Sequence, residues 1–342
     1  MASQTVERHQ EAFAKLTEIR RTAGIFALAT ETAAIAANDK SGLGNKEEAD
    51  QAAVDAMRKF LNGMDIKGVI EVGEGVKDEA PMLFIGEEVG TGNGPELSIA
   101  VDPIDGTKAT AGLMPGAVSV LAASERGGIL RLPTDLHYVD KIITGPQAKD
   151  LVDINAPVSK NLKVISESLD KATSDLRIVV LDRPRNKNLI DQIRETGAKV
   201  SLIDYGDLVP GVLTCIQGSD VHAVMGSGGA PEAVLTAAGV ICLGGGIQVK
   251  PWTDKENVQK SLEAQGFSLD RVLNERDLVP GKSVIFSATG ITHSNVIDGV
   301  RTFRGGVRQD SLVLAATDGV SVIDRRDSTL VTDTSQIQYR LK

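Results

Sequence analysis

Apolar positions recur every three to four residues from about residue 6 to residue 38. Leu16, Ile19, Ala23, Phe26 and Ala27 share one face, and the pattern predicts a helix, with Gly24 inside it. Ser41-Gly42-Leu43-Gly44-Asn45 breaks that pattern. A second helix is predicted from Lys46 to Leu61, with Ala53, Met57 and Phe60 on one side and Asp50 in its first turns, where negative charge is favoured. Four short apolar runs then read as strands: Gly68 to Val72, Met82 to Gly86, Leu97 to Val101 and Ala117 to Ala122. The connections between them are short, which suits an antiparallel or mixed sheet. Beyond that the style changes. A strand over Arg177 to Leu181, a helix over Asn186 to Thr196 and a strand over Lys199 to Ile203 form a βαβ unit. A helix near Pro231 to Ala238 and a strand over Ser283 to Ala288 follow. A hairpin closes the pattern, with Leu312 to Ala316 facing Val320 to Asp324 across Asp318-Gly319. The reading is an α/β protein with mixed sheets, divided near residue 165 into halves 1–165 and 166–342.

Composition narrows the function. Hydrophobic residues make up 42% and charged residues 24%, as in a folded globular chain. Aromatics are only 3%, which leaves few platforms for stacking single-stranded bases. The net charge of −9 speaks against a nucleic-acid partner held by global charge, so any bound phosphate needs local cations or metal ions. No run reaches 18 apolar residues, so no membrane helix is expected, and the N-terminus lacks an apolar signal core. The expected location is the cytoplasm, where Cys215 and Cys242 are expected to be free thiols. The Gly-rich stretch from Gly226 to Gly246 holds no dinucleotide fingerprint and no P-loop, and the four histidines show no metal-ligand spacing.

The segment richest in chemistry is Asp102-Pro103-Ile104-Asp105-Gly106-Thr107, directly after an apolar strand. Two carboxylates about 4 Å apart repel by roughly 4 kcal/mol at an effective dielectric of about 20. A hard divalent cation removes that conflict, and oxygen ligands suit Mg²⁺ or Mn²⁺. Thr107 places a hydroxyl beside the pair. An isolated Asp-x-x-Asp is more often a solvated turn, so the whole string and its company decide.

That string resembles the signature of the lithium-sensitive, metal-dependent phosphatases. Further segments resemble the class II fructose-1,6-bisphosphatases within that group. They are Glu47-Glu48-Ala49-Asp50, Val72-Gly73-Glu74-Gly75, Asp78-Glu79-Ala80-Pro81-Met82-Leu83, Asp182-Arg183-Pro184-Arg185, Gly226-Ser227-Gly228-Gly229-Ala230-Pro231-Glu232, Phe286-Ser287-Ala288-Thr289-Gly290 and Gly299-Val300-Arg301. They stand in the family's order from about Thr30 to about Leu314, which leaves the residues before Thr30 as a short extension. The resemblance implies a layered αβαβα sandwich of the sugar-phosphatase type. It implies hydrolysis of the 1-phosphate of fructose 1,6-bisphosphate with Mg²⁺ or Mn²⁺, and a homo-oligomer, dimer or tetramer. Carried over position by position, the metal ligands fall on Asp50, Glu74, Asp102, Asp105 and Glu232. Thr107, with Asp50, falls in the catalytic role of orienting the attacking water. Substrate contacts fall on Asp105, Gly106, Thr107, Tyr138, Arg183, Pro184, Arg185, Tyr205, Gly206, Asp207 and Gly229. Most metal ligands then lie in the first half, and the distal phosphate and sugar contacts in the second.

Five positions depart from the family pattern: Asn45, Val76, Asn186, Tyr205 and Ala233. None is an inferred metal ligand. Tyr205 stands where the family has an aspartate, which puts sugar affinity or substrate range in question. Alternative readings are a phosphatase of another sugar or inositol phosphate, sedoheptulose 1,7-bisphosphate among them, and a weakly active paralogue that binds sugar phosphate as a regulator.

Overall fold

The computed structural model describes residues 2–75, 82–317 and 320–331, with side chains from residue 17 onward. Helix α1 (Ala2–Asn38) buries Ala23, Phe26, Ala27, Ala33, Ala34 and Ala37. Small alanines on that face let α2 (Lys46–Asn62) pack closely through Ala49, Ala53, Met57 and Leu61. Asn45 caps α2, its side-chain oxygen accepting from the N–H of Glu48 at 3.2 Å. Asn45, one of the departures from the family pattern, thus serves as a helix cap. Ile19 and Ala23 lie in the same core as the sheet, so α1 is part of the fold well before Thr30.

Among the described residues eight strands form a first sheet. They are β1 (Lys67–Val72), β2 (Glu88–Val89), β3 (Glu96–Asp105), β4 (Val118–Glu125), β11 (Ser283–Gly290), β12 (Arg301–Phe303), β13 (Gly306–Thr317) and β14 (Val320–Val331). A second sheet has the order β10-β9-β5-β8-β6-β7, from β5 (Tyr138–Thr144), β6 (Arg177–Leu181), β7 (Lys199–Ile203), β8 (Ala223–Gly229), β9 (Gly246–Trp252) and β10 (Leu273–Asn274). Both sheets are mixed. β1 runs parallel to β3, and β6 parallel to β7 and β8, while the other pairs are antiparallel. Sheet membership does not run straight along the chain: β5 lies in the second sheet, and β11 to β14 return to the first.

Strand periodicity sorts side chains into layers. Val118, Val120 and Ala122 of β4 face a core shared with the second sheet, while Leu121 and Ala123 face α1 and α2. That shared core is filled by α7 (Ala230–Cys242), buried on every side, with Phe286 of β11 against it. The outer face of the second sheet is covered by α4 (Val158–Ser168) and α5 (Lys187–Glu195) through Leu162, Ile165, Ile190 and Ile193. The order of layers is helix, sheet, helix, sheet, helix, the expected αβαβα sandwich. Short helices α3 (Thr107–Ala111), α6 (Leu208–Leu213), α8 (Glu256–Ala264) and α9 (Glu275–Leu278) fill the connections.

The run Met82 to Gly86 corrects one expectation, for it is a turn and not a strand. Leu83 is fully buried with φ 52°, and its carbonyl accepts the N–H of Glu74 at 3.1 Å. The apolar run is a plug for the loop, and that plug fixes the backbone of Glu74. Val76 and the segment from Asp78 to Pro81 lie outside the described residues. The C-terminal hairpin is longer than its pattern suggested, with all twelve residues of β13 paired to β14; its turn, Asp318-Gly319, also lies outside them.

Candidate active site

Between the layers opens a cavity of about 800 Å³. Asp50 reaches it from α2 and Glu74 from the loop after β1; Asp102 and Asp105 come from β3 and Glu232 from the first turn of α7. The two aspartates of β3 share the cavity because the strand carries a bulge. Asp102 pairs with Val120 and Asp105 with Val118, so three steps on β3 match two on β4. One extra residue turns two acids of opposite parity toward the same side. Gly106 then takes φ 100°, a conformation that favours glycine, and starts α3 with Thr107 as its first residue. The Thr107 hydroxyl makes one long bond, to the carbonyl of Ile104 at 3.4 Å.

The other wall carries Tyr138 at the start of β5, Arg183 and Arg185 after β6, Tyr205, Gly206 and Asp207 after β7, and Gly229 at the end of β8. Every residue proposed from the sequence lines the cavity except Pro184, which opens the 3₁₀ turn that carries the arginines. The Arg185 guanidinium lies 4.4 Å above the Tyr138 ring and 5.9 Å from Trp252, and its Nε donates to the carbonyl of Ser227 at 3.2 Å. Arg183 donates to the carbonyls of Asp182 and Asp204, which fixes its fork beside the cavity. Asn186 is buried and fully engaged: its amide donates to the carbonyls of Leu181 and Ser227 and accepts from the N–H of Ser227. It ties the arginine turn to β8 and performs a structural task at that position. Ala233 is buried inside α7.

The Tyr205 hydroxyl is engaged by backbone. It donates to the carbonyl of Pro115 at 2.9 Å, and the ring lies against Gly106. Burial, then the nearby Asp204, raises the phenol pKa further. Sequence reasoning missed Lys46 and Lys108, which also line the cavity. Their signal was position, since each lies in the first turn of a helix, where a cation opposes the dipole.

Electrostatics binds the five acids into one cluster. Burial, then Asp50 and Glu232, pushes the Glu74 carboxyl up to about 7. Burial, then Glu232 and Asp207, pushes Asp105 up to about 8, with Lys141 opposing. Asp102 is raised well above the usual carboxylate range by burial and by Asp105, Glu232, Glu74 and Asp50. Glu232 and Asp50 are raised mainly by burial. The Asp105 Oδ2 is buried with no hydrogen-bond partner among the described residues. An all-oxygen set of mutually repelling, partly desolvated carboxylates fits a hard divalent cation. Among the described residues no three acidic, cysteine or histidine side chains stand close enough together to hold a metal ion as they are placed. All five acids nevertheless line the one cavity.

A wider groove of about 1420 Å³ runs along α1, α2 and the first sheet. Ile19, Phe26, Phe60 and Ile285 line it, and it holds none of the five acids, so chemistry points to the smaller cavity. The thiols lie outside that cavity, and burial pushes Cys215 up to about 11 and Cys242 up to about 12. Among the described residues no helix is long and apolar enough to cross a membrane.

Comparison with known proteins agrees with this geometry. The family described as bacterial fructose-1,6-bisphosphatase, glpX-encoded, matches residues 20–326. A Synechococcus protein named D-fructose 1,6-bisphosphatase class 2/sedoheptulose 1,7-bisphosphatase is 44% identical over 311 residues, covering 84% of this chain and 89% of its own. A protein of the same name from Prochlorococcus marinus is 42% identical over 302 residues, covering 84% and 90%. With a match that spans both sheets and reaches back into α1, the chain belongs to the glpX-type bacterial fructose-1,6-bisphosphatase family.

Proposed function

We propose that this chain is a phosphoric monoester hydrolase that removes the 1-phosphate of fructose 1,6-bisphosphate. One water adds to phosphorus, the bond from phosphorus to the C1 oxygen breaks, and that oxygen takes a proton. Fructose 6-phosphate and inorganic phosphate leave. The observation that carries the reading is one cavity lined by all five carboxylates and by both arginines.

Asp50, Glu74, Asp102, Asp105 and Glu232 would hold Mg²⁺ or Mn²⁺, which supplies charge neutralisation for the phosphate and an activated water. Thr107 and Asp50 orient the attacking water, and of the two only the Asp50 carboxylate can accept its proton. Arg183 and Arg185 take the retained phosphate through charge-assisted hydrogen bonds. Tyr138 supports Arg185 from below. Gly206, Asp207 and Gly229 border the sugar, and Tyr205 closes that side through its ring. Sedoheptulose 1,7-bisphosphate is the second substrate reading, supported by the names of the relatives. The regulator reading is not favoured, because every inferred metal ligand is an acid that lines the cavity.

The test is phosphate release from a panel of sugar and inositol phosphates with Mg²⁺ and with Mn²⁺. Fructose 1,6-bisphosphate should lead the panel, and a clear preference for an inositol monophosphate would refute the assignment. The same proposal includes a cytoplasmic location, a dimer or tetramer, and two units, 1–165 and 166–342. Fractionation, light scattering and limited proteolysis test these in turn.

A further inference from the structure

β5 is an inner strand of the second sheet, flanked by β8 and β9. Along it Val139, Lys141 and Ile143 share one face by strand alternation. Val139 and Ile143 join the core between the two sheets, and Lys141 stands between them, 3% exposed. Lysine is among the residue types least often buried so fully, because an ammonium loses its hydration there. A leucine or methionine would serve packing alone.

The ammonium has a definite neighbour. Lys141 Nζ lies 2.7 Å from Oδ2 of Asp207, which is itself 5% exposed. Nζ has no aligned hydrogen-bond acceptor among the described residues, so this contact acts through charge rather than as a directed hydrogen bond. Asp207 lines the cavity and Lys141 does not. The backbone of β8 is shaped around the pair. A Cβ on Gly228 would lie 2.6 Å from Asp207 Oδ2 and 2.7 Å from Lys141 Nζ. The lysine therefore stands behind the aspartate, in a slot that only a glycine strand leaves open. Without that cation Asp207 would face Asp105 and Glu232 with no counter-charge beside it.

We propose that Lys141 is a positioning residue of this site. Its ammonium holds Asp207 as an anionic acceptor aimed into the cavity, where Asp207 takes hydrogen bonds from the hydroxyls of the sugar. This rests on the sugar-phosphate reading of the cavity. It also explains how the site tolerates Tyr205, whose hydroxyl is engaged by Pro115. Sugar recognition is carried two residues further on, by an aspartate with its own buried cation.

The test is a double-mutant cycle over Lys141→Met and Asp207→Asn. Steady-state kinetics on fructose 1,6-bisphosphate with saturating Mn²⁺ are paired with calorimetric binding of fructose 6-phosphate in chelator, where nothing turns over. Each single substitution should raise KM and weaken fructose 6-phosphate binding about tenfold, the scale of a lost bond to a charged acceptor. kcat should move by less than about threefold. The double variant should bind fructose 6-phosphate no worse than Asp207→Asn alone, because it is through Asp207 that Lys141 serves the sugar. Additive losses overturn the proposal, as does a fall in kcat with KM and product affinity unchanged. If Lys141→Met alone fails to fold, the double variant, in which that buried pair is neutral, decides against Asp207→Asn by the same equality. Wild-type turnover of fructose 1,6-bisphosphate checks the underlying reading. If turnover is absent, that reading falls and this one with it; if turnover is present and the cycle is additive, only the role of Lys141 falls.

Discussion

Replacing Glu74 by glutamine should have opposite effects with and without metal. Glu74 is an acid whose folded pKa is raised, from 4.5 to about 7, by burial and by Asp50 and Glu232. Below about pH 4.5 it is protonated in both the folded and unfolded states and carries no penalty. As pH rises through that value the unfolded chain releases the proton first, so folded stability falls until about pH 7. At about 1.4 kcal/mol per pH unit the full penalty reaches up to about 3 kcal/mol. Glutamine keeps the shape and cannot ionise, so Glu74→Gln removes that penalty. With an unfolding entropy of about 2.1 cal/mol/K per residue, a chain of this length shifts its melting temperature by about 1.4 °C per kcal/mol. In chelator at pH 8 the variant should therefore melt up to about 4 °C above wild type, and at pH 4 the two should coincide. With Mn²⁺ present the order reverses, because the carboxylate is then a ligand and its charge is used. Thermal melts by circular dichroism at both pH values, with and without metal, give the comparison. An equal shift at pH 4 and pH 8 in chelator would show that the effect is not electrostatic, and the clustered-acid argument would fail.

Chelation of the wild-type protein should abolish phosphate release, and Mg²⁺ or Mn²⁺ should restore it; full turnover in chelator refutes the metal role. Thr107→Val should lower kcat by about 10²-fold with an unchanged melting temperature, the scale of a lost catalytic group; an unchanged kcat reduces Thr107 to a helix-start residue. Tyr205→Phe should leave KM within about twofold and lower stability by about 1 kcal/mol, the bond to Pro115 being lost. A fivefold rise in KM would place the phenol hydroxyl on the sugar.

Much of the site was legible because its chemistry is local. Asp102 to Thr107 is one string, and the arginines are two residues apart. The five acids could be named from motifs, yet only the β3 bulge explains how Asp102 and Asp105 come to one side. A bulge depends on the partner strand, so no periodicity within β3 reveals it. β8 was hidden for a related reason. Its sequence, Ala-Val-Met-Gly-Ser-Gly-Gly, lacks the apolar alternation of a strand, because Asn186, the Lys141–Asp207 pair and Glu232 occupy the space where side chains would stand. Met82 to Gly86 failed in the opposite direction. It is apolar enough for a strand, but Leu83 is used as a plug under the Glu74 loop. Lys141 would have stood out as a charge on a core face once β5 was recognised.

The pairing of Ser124 with Val284 joins strands half a chain apart and so sets an order on biosynthesis. Every strand of the second sheet lies between Tyr138 and Asn274, so on the ribosome that sheet can close while β11 is still unmade. During that interval β4 has an open edge, the kind of edge that invites mispairing. β3, with its two aspartates, already has both neighbours, β1 and β4, when the second sheet is made; what waits for β11 is the far edge of β4. A translation product that stops short of β11 would carry the sugar-phosphate contacts without a finished sheet to support its acids.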